Sequence, residues 1–357
     1  MNANIRTLAA SLSDISSRCP AEKLDRASRY VIAADIRMGD GGRRDESVGS
    51  MKALYRILSK WYLPRDYTLV LNGDVEDLRT FWIKDILAAW PRIYALFDVF
   101  ADKGRLRKIA GERDLTLLKL KSYPYEILHG LRLDAESGSI LICHGHQASS
   151  PYLGREYLSD FLQHWLHSSP RRRPEAKDSD GASRYKAERR LCRAAASLGM
   201  ALVEGHTRRP LFESITNRDA IRLELERMLN EGDPGSGEST VDALIDYCRS
   251  EAKRRSRSGL LPVSGPGIAL EGRASPALFC PGRAAGARGI RFIEISEGRI
   301  RLVRWLRDER SSPIARETEK GLKHSRIEVR SSGIDEVMER VAASARPSEA
   351  IREGGET

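Results

Sequence analysis

The chain has 357 residues, 41% of them hydrophobic, enough to bury one large core with appendages, and no internal repeat is visible. Its 60 Lys and Arg against 50 Asp and Glu leave a formal charge of +10, which suits anionic partners such as phosphoesters, nucleic acid or an acidic membrane surface and equally serves solubility. Five scattered cysteines without C-x-x-C spacing exclude a disulfide framework and a zinc knuckle, no stretch reaches a membrane span or forms a secretory signal, and a soluble cytoplasmic protein is expected.

In chain order, Leu8, Leu12 and Ile15 fall at helical spacing in a segment reaching to about residue 28. Tyr30 to Ala34 then reads as a buried strand running into Asp35-Ile36-Arg37. Ser47 to Trp61 has a helical pattern, and Thr68 to Leu71 is a second short strand, ending in Asn72-Gly73-Asp74-Val75-Glu76-Asp77. Thr80 to Phe100 is helical. Arg107 to Ala110 leads into Gly111-Glu112-Arg113-Asp114, and Ser139 to Cys143 into His144-Gly145-His146.

An insertion over about 150–200 follows, with Tyr157, Phe161 and Trp165 on one helical stretch, the basic run Arg171-Arg172-Arg173, and a second helix through Leu198; a helical hairpin over the site is expected. Ala201 to Val203 is the fifth strand and precedes Gly205-His206-Thr207-Arg208. A second insertion, about 211–262, reads as mainly helical and carries Lys253-Arg254-Arg255. Gly289 to Ile295 and Ile300 to Trp305 form a hairpin around Ser296-Glu297-Gly298, expected to close a second sheet. A short strand at Ile327 to Val329, a helix at Ile334 to Ala343 and a polar tail complete the chain. The domain reading is an N-terminal helical segment (1–28), a main domain (29–310) and a C-terminal extension (311–357).

Strands alternating with helices predict an α/β fold with its chemistry gathered at the strand ends. The five strand-end stretches, in their order, resemble the calcineurin-like metallophosphoesterase family, whose motifs read D-x-H, G-D-x-x-D, G-N-H-D/E, H-G and G-H-x-H. The resemblance implies a four-layer α/β/β/α sandwich holding two metal ions. By that correspondence Asp74 bridges the ions, Asp35 serves the first, and His144 and His206 serve the second, with Glu112 standing where the family has Asn.

Three histidines of the pattern are arginine here: Arg37 and Arg208 at ligand positions of the first metal, and Arg113 at the position that protonates the leaving group. Arginine has no lone pair to give and holds its proton too tightly for general acid work. The first metal of the pair is therefore expected to be absent, leaving at most one ion. One divalent ion, Mn, Zn or Fe, is compatible with Asp74, Glu112, His144 and His206. Arg37, Arg113 and Arg208 would then balance the acids and hold phosphoryl oxygens, with His146 and Arg171, Arg172 and Arg173 as further substrate contacts.

The expected function is weakened phosphoester hydrolysis, or, in the alternative, a pseudoenzyme that binds a phosphate-containing ligand or acts as a scaffold. The helical insertion and Asp40-Gly41-Gly42 are loosely similar to the UDP-2,3-diacylglucosamine hydrolase branch, which implies a nucleotide-lipid and peripheral membrane contact. Nucleic acid is disfavoured, because no recognised binding module or basic-aromatic strand platform is present.

Overall fold

The computed structural model describes residues 3–148, 181–216, 278–284, 289–307, 317–318, 322 and 324–345. These residues form a mixed α/β fold with two principal sheets flanked by helices.

The first element, α1 (Ala3–Arg18), turns Ile5, Leu8, Leu12 and Ile15 inward at helical spacing. A short strand β1 (Ala21–Lys23) then precedes β2 (Arg29–Ala33). Helix α2 (Val48–Ile57) runs on through a π-helical turn (Leu58–Tyr62) and a 3₁₀ turn (Leu63–Arg65), closed by Asp66 at φ 59°. Strand β3 (Thr68–Asn72) follows. The long helix expected over 80–100 is instead α3 (Ile83–Ala89) and α4 (Pro91–Asp102), because Pro91 has no amide proton to continue a helix and fits its first turn.

Strands β4 (Leu106–Ile109), β5 (Ile127–Leu128), β6 (Leu131–Ala135) and β7 (Gly138–Ile142) come next, then α5 (Gly181–Ser197) and β8 (Ala201–Val203). Residues 211–216, expected to be helical, form the small antiparallel pair β9 (Leu211–Phe212) and β10 (Ile215–Thr216), turned at Glu213 and Ser214, both at positive φ. The last strands are β11 (Leu278–Phe279), β12 (Ile290–Ser296), β13 (Arg299–Arg307), β14 (Glu317–Thr318) and β15 (His324–Gly333), followed by helix α6 (Ile334–Ala345).

One sheet has the order β14-β15-β13-β12-β2-β3-β4-β5, with β2 to β5 parallel and the rest antiparallel. The other has the order β1-β6-β7-β8-β11. The β12–β13 hairpin turns at Glu297-Gly298 as expected, but it joins the sheet of β2 and β3, since β12 pairs with β2. Local patterning fixes a hairpin; which sheet it extends is decided by pairing across more than 250 residues of sequence.

Alternation along β2, β3, β12 and β13 divides the core. Ile32, Val70, Ile293, Ile295 and Leu302 join one cluster with Leu131, Leu133, Ile140 and Leu202 of the other sheet. Val31, Leu69, Leu71, Phe292 and Trp305 face α2 and α4, where Met51, Leu54, Ile57 and Phe97 are buried. Each such side chain contributes about 1.5–3 kcal/mol on burial, so the strand ends are held on a firm base. Among the described residues, no helix is long and apolar enough to cross a membrane.

Candidate functional site

The C-terminal ends of β2, β3, β4, β7 and β8 converge, and each runs straight into one of the five motifs. The convergence is close enough to demand glycine. A Cβ on Gly111 would lie 2.3 Å from the Asp74 amide nitrogen, and one on Gly73, at φ 77°, would lie 2.4 Å from Nδ1 of His144. Asn72 clamps the two sheets together, its side-chain amide donating to the carbonyls of Cys143 (3.2 Å) and Val203 (3.3 Å). The carbonyl of His144 in turn accepts from the amides of Gly205 and His206.

Four non-glycine residues here adopt left-handed backbone: Asp35 (φ 54°), Arg37 (54°), Asp74 (52°) and Arg208 (59°). Such conformations cost on the order of 1–3 kcal/mol each and gather at functional sites. They persist because the loops pair with one another: the amides of Asp35, Arg37 and Met38 donate to the carbonyls of Gly73, Asp74 and Val75.

All three arginines point inward. Nε of Arg37 donates to Oδ1 of Asp35 at 2.6 Å, and Nε of Arg208 lies 3.2 Å from the same oxygen. Arg37 also reaches Asp74 Oδ2 at 3.8 Å, as does Nε of Arg113. Arg113 is held from both ends, its amide on Asp74 Oδ1 (2.8 Å) and its guanidinium on Asp77 Oδ1 (2.7 Å). Asp114 braces the same loops by accepting from the amides of Val75 and Gly111.

These contacts set the charge states. Burial pushes the Asp35 carboxyl above its usual range, with Arg37 opposing and Asp74 adding to the rise. Asp74 is buried too, but His144, Arg37 and Arg113 prevail and hold it well below. Burial disfavours a charged His144, yet Asp74 and Asp35 beside it push it up to about 10. Its Nδ1–H donates to the carbonyl of Asn72 at 3.0 Å, which turns Nε2 toward Asp74 Oδ1, 3.5 Å away. His146 is pushed well down by burial and by the cationic His144, and His206 is lowered by burial with Glu112 opposing.

Asp35, Asp74 and His144 each offer a ligand atom, and these atoms lie within 4.8 Å of one another. Asp35 Oδ2, Asp74 Oδ2 and His144 Nε2 are buried without a hydrogen-bond partner, so two oxygens and, once the Nε2 proton of His144 is displaced, one nitrogen suit a divalent ion. This group differs from the set inferred by resemblance, which placed Glu112 and His206 with Asp74 and His144. Glu112 Oε2 faces Nη2 of Arg79 at 3.6 Å and Nδ1 of His206 at 3.9 Å.

The side chains of Arg113, Arg208, Glu112 and His206 are 11–13% exposed and that of Arg79 is 33% exposed, so these form the mouth. Arg37 and His146 lie beneath it, buried. Arg79 escaped the sequence reading because it belongs to no motif; its only signal is its place two residues after Asp77. Arg171, Arg172 and Arg173, with Trp165, Tyr157, the 253–255 run and the tail after 345, lie outside the described residues.

No family model matches this chain, and no curated protein sequence does. Among solved structures, YfcE, a phosphoesterase from E. coli, superposes with a TM-score of 0.34 at 12% identity, over 76% of this chain and 91% of that one. So loose a superposition transfers neither activity nor substrate.

Proposed function

We propose that this chain is a metallophosphoesterase-like protein, built as a four-layer α/β/β/α sandwich, which binds a phosphate-bearing small molecule and hydrolyses its ester weakly with at most one divalent ion. The observation that carries this reading is the convergence of Arg37 and Arg208 on one oxygen of the buried Asp35. Two permanent cations there stand in for an ion that the five-motif pattern would otherwise place beside Asp35.

Asp35, Asp74 and His144 would hold the remaining ion, with Glu112 and His206 flanking it. When bound, such an ion polarises a phosphoryl oxygen and makes a bound water more acidic. The chain's own groups do the rest. Arg113, fixed by Asp77, and Arg208, fixed by Asp35, present guanidinium groups at the mouth, where they orient an entering phosphate and neutralise its charge. Neither supplies a proton to a departing oxygen at neutral pH. His206 is the imidazole at the mouth, and its lowered pKa keeps it neutral. Leaving groups that need protonation should therefore react about 10²–10⁴-fold more slowly than an enzyme with a positioned acid would allow.

A second reading is a pseudo-phosphoesterase that binds the same ligand without turnover. It draws on the same geometry: Asp35, Asp74 and Asp77 already face cations of the protein itself. A nucleotide-lipid is one ligand class consistent with either reading. The deciding experiment is hydrolysis of an activated aryl phosphate with added Mn. Turnover abolished in Asp74→Ala supports the enzyme. Calorimetric phosphate binding with no turnover supports the pseudoenzyme, and neither binding nor turnover defeats both.

A further inference from the structure

On α5, Lys186, Arg189, Arg190 and Arg193 follow one another at i, i+3, i+4 and i+7, which places four cations on one face. With Asn4 and Ile5 of α1 as the opposite wall, they line a groove of about 200 Å³. Among the described residues that line it, none is acidic. The one acid on α5, Glu188, is buried and occupied by Arg209, which donates to its two oxygens through Nε and Nη2.

This arrangement works against the helix. Like charges three or four residues apart destabilise a helix by tenths of a kcal/mol per pair, and 186/189, 186/190, 189/193 and 190/193 are all such pairs. The face is also fixed in place: Leu191, Ala194 and Ala195 are buried in the core, and Arg190 donates to the carbonyl of Ala148 at 3.0 Å. That last contact joins the groove to the 3₁₀ turn His146–Ala148, which follows His144.

We propose that this groove is a second anion site, separate from the strand-end site, and that it takes a small ligand carrying two or more phosphate groups. A concave wall of four cations matches several negative charges held close together. The size favours a di- or triphosphate over a polymer. A lipid surface is the poorer fit, because the apolar face of α1 beside the groove is already spent on the core through Ile5, Leu8, Leu12 and Ile15.

The test is calorimetric titration of the full chain with inorganic triphosphate, in three proteins: the wild type, Lys186→Gln/Arg193→Gln, whose altered side chains are both exposed, and Arg113→Gln/Arg208→Gln at the other site. In Arg113→Gln/Arg208→Gln, one equivalent should still bind, weakening as salt is raised. In Lys186→Gln/Arg193→Gln that same binding should fall at least tenfold while its circular dichroism is unchanged. Triphosphate binding that is lost in Arg113→Gln/Arg208→Gln, or unaltered in Lys186→Gln/Arg193→Gln, overturns the proposal. So does binding of an oligonucleotide or of anionic phospholipid vesicles, sensitive to Lys186→Gln/Arg193→Gln, in a protein that ignores triphosphate.

Discussion

Two buried charge clusters sit back to back at the ends of β3 and β4, and they are built on opposite terms. Behind the site, Lys108 donates to Glu76 Oε2 at 2.5 Å, Tyr94 and Tyr123 donate to Glu76 Oε1 at 2.9 and 2.6 Å, and Asp114, 3.7 Å from Lys108, accepts two backbone amides. None of those polar atoms is left without a hydrogen bond. In front, Asp35 Oδ2, Asp74 Oδ2, Arg37 Nη2, Arg113 Nε and His144 Nε2 are all buried and all lack one. Burial and charge are common to both; satisfaction is not. A completed network serves the fold, whereas an incomplete one keeps atoms in reserve for something that binds.

The contrast can be broken most sharply at Lys108. Lys108→Met keeps the stem but leaves Glu76 charged and without its cation, and should cost about 3–5 kcal/mol in chemical denaturation. A loss under about 1 kcal/mol would mean that the rear cluster is no better committed to the fold than the front one.

Glu204 asks whether hydrogen bonds suffice without a cation. It is buried and accepts from the amide (3.0 Å) and hydroxyl of Thr207. Burial outweighs those bonds and pushes its carboxyl from 4.5 up to about 7. The folded state thus binds the proton more tightly than the unfolded chain. Stability from this group is fully present below about pH 4.5 and is lost as pH rises to about 7, roughly 3 kcal/mol in all. Denaturation of wild type and Glu204→Gln across pH 5 to 7.5 should show a falling curve in the first and a flatter one in the second. Parallel curves would remove the raised carboxyl from the account.

At the front cluster, Arg37→Met leaves Asp35 to Arg208 alone, and should cost about 2 kcal/mol in chelator, less than Lys108→Met because one cation remains. Added Mn should restore the loss, since the reserved oxygens stay where they were. Elemental analysis of the wild type should find no more than one equivalent of metal. Restoring the four family-like residues together, Arg37→His, Glu112→Asn, Arg113→His and Arg208→His, should raise it to two, and a wild type with two already would defeat the idea that guanidinium replaces an ion.

What the sequence made legible follows the same divide. Asp35, Asp74, Glu112, His144 and His206 could be found because each ends a short apolar strand and carries a residue type with its own chemistry. Which of them close to ligand distance could not, because the approach of β2, β3 and β7 is set by Asn72, whose side-chain amide reaches across to the ends of β7 and β8. Lys108 reads as one charge in a short strand; nothing local says that Glu76, Tyr94 and Tyr123 wait for it inside. Strand β15 runs ten residues where three were expected, since its polar stretch Arg330-Ser331-Ser332 is kept in register by β13 and not by its own pattern.

The finest test lies at Tyr123, where the two clusters come nearest to the same question. Its hydroxyl is one of three donors on Glu76, so Tyr123→Phe removes a hydrogen bond while Lys108 and Tyr94 remain. The net worth of such a bond is about 1 kcal/mol, more if the acceptor is charged. Because Glu76 keeps its cation, the loss should stay near that value, and phosphate binding at the front should not change. The effect on binding decides the matter: Glu76 leads directly into the loop that carries Asp77, the residue gripping Arg113. If Tyr123→Phe weakens phosphate affinity as much as it weakens the fold, the rear network is setting the position of Arg113, and the two clusters are one device.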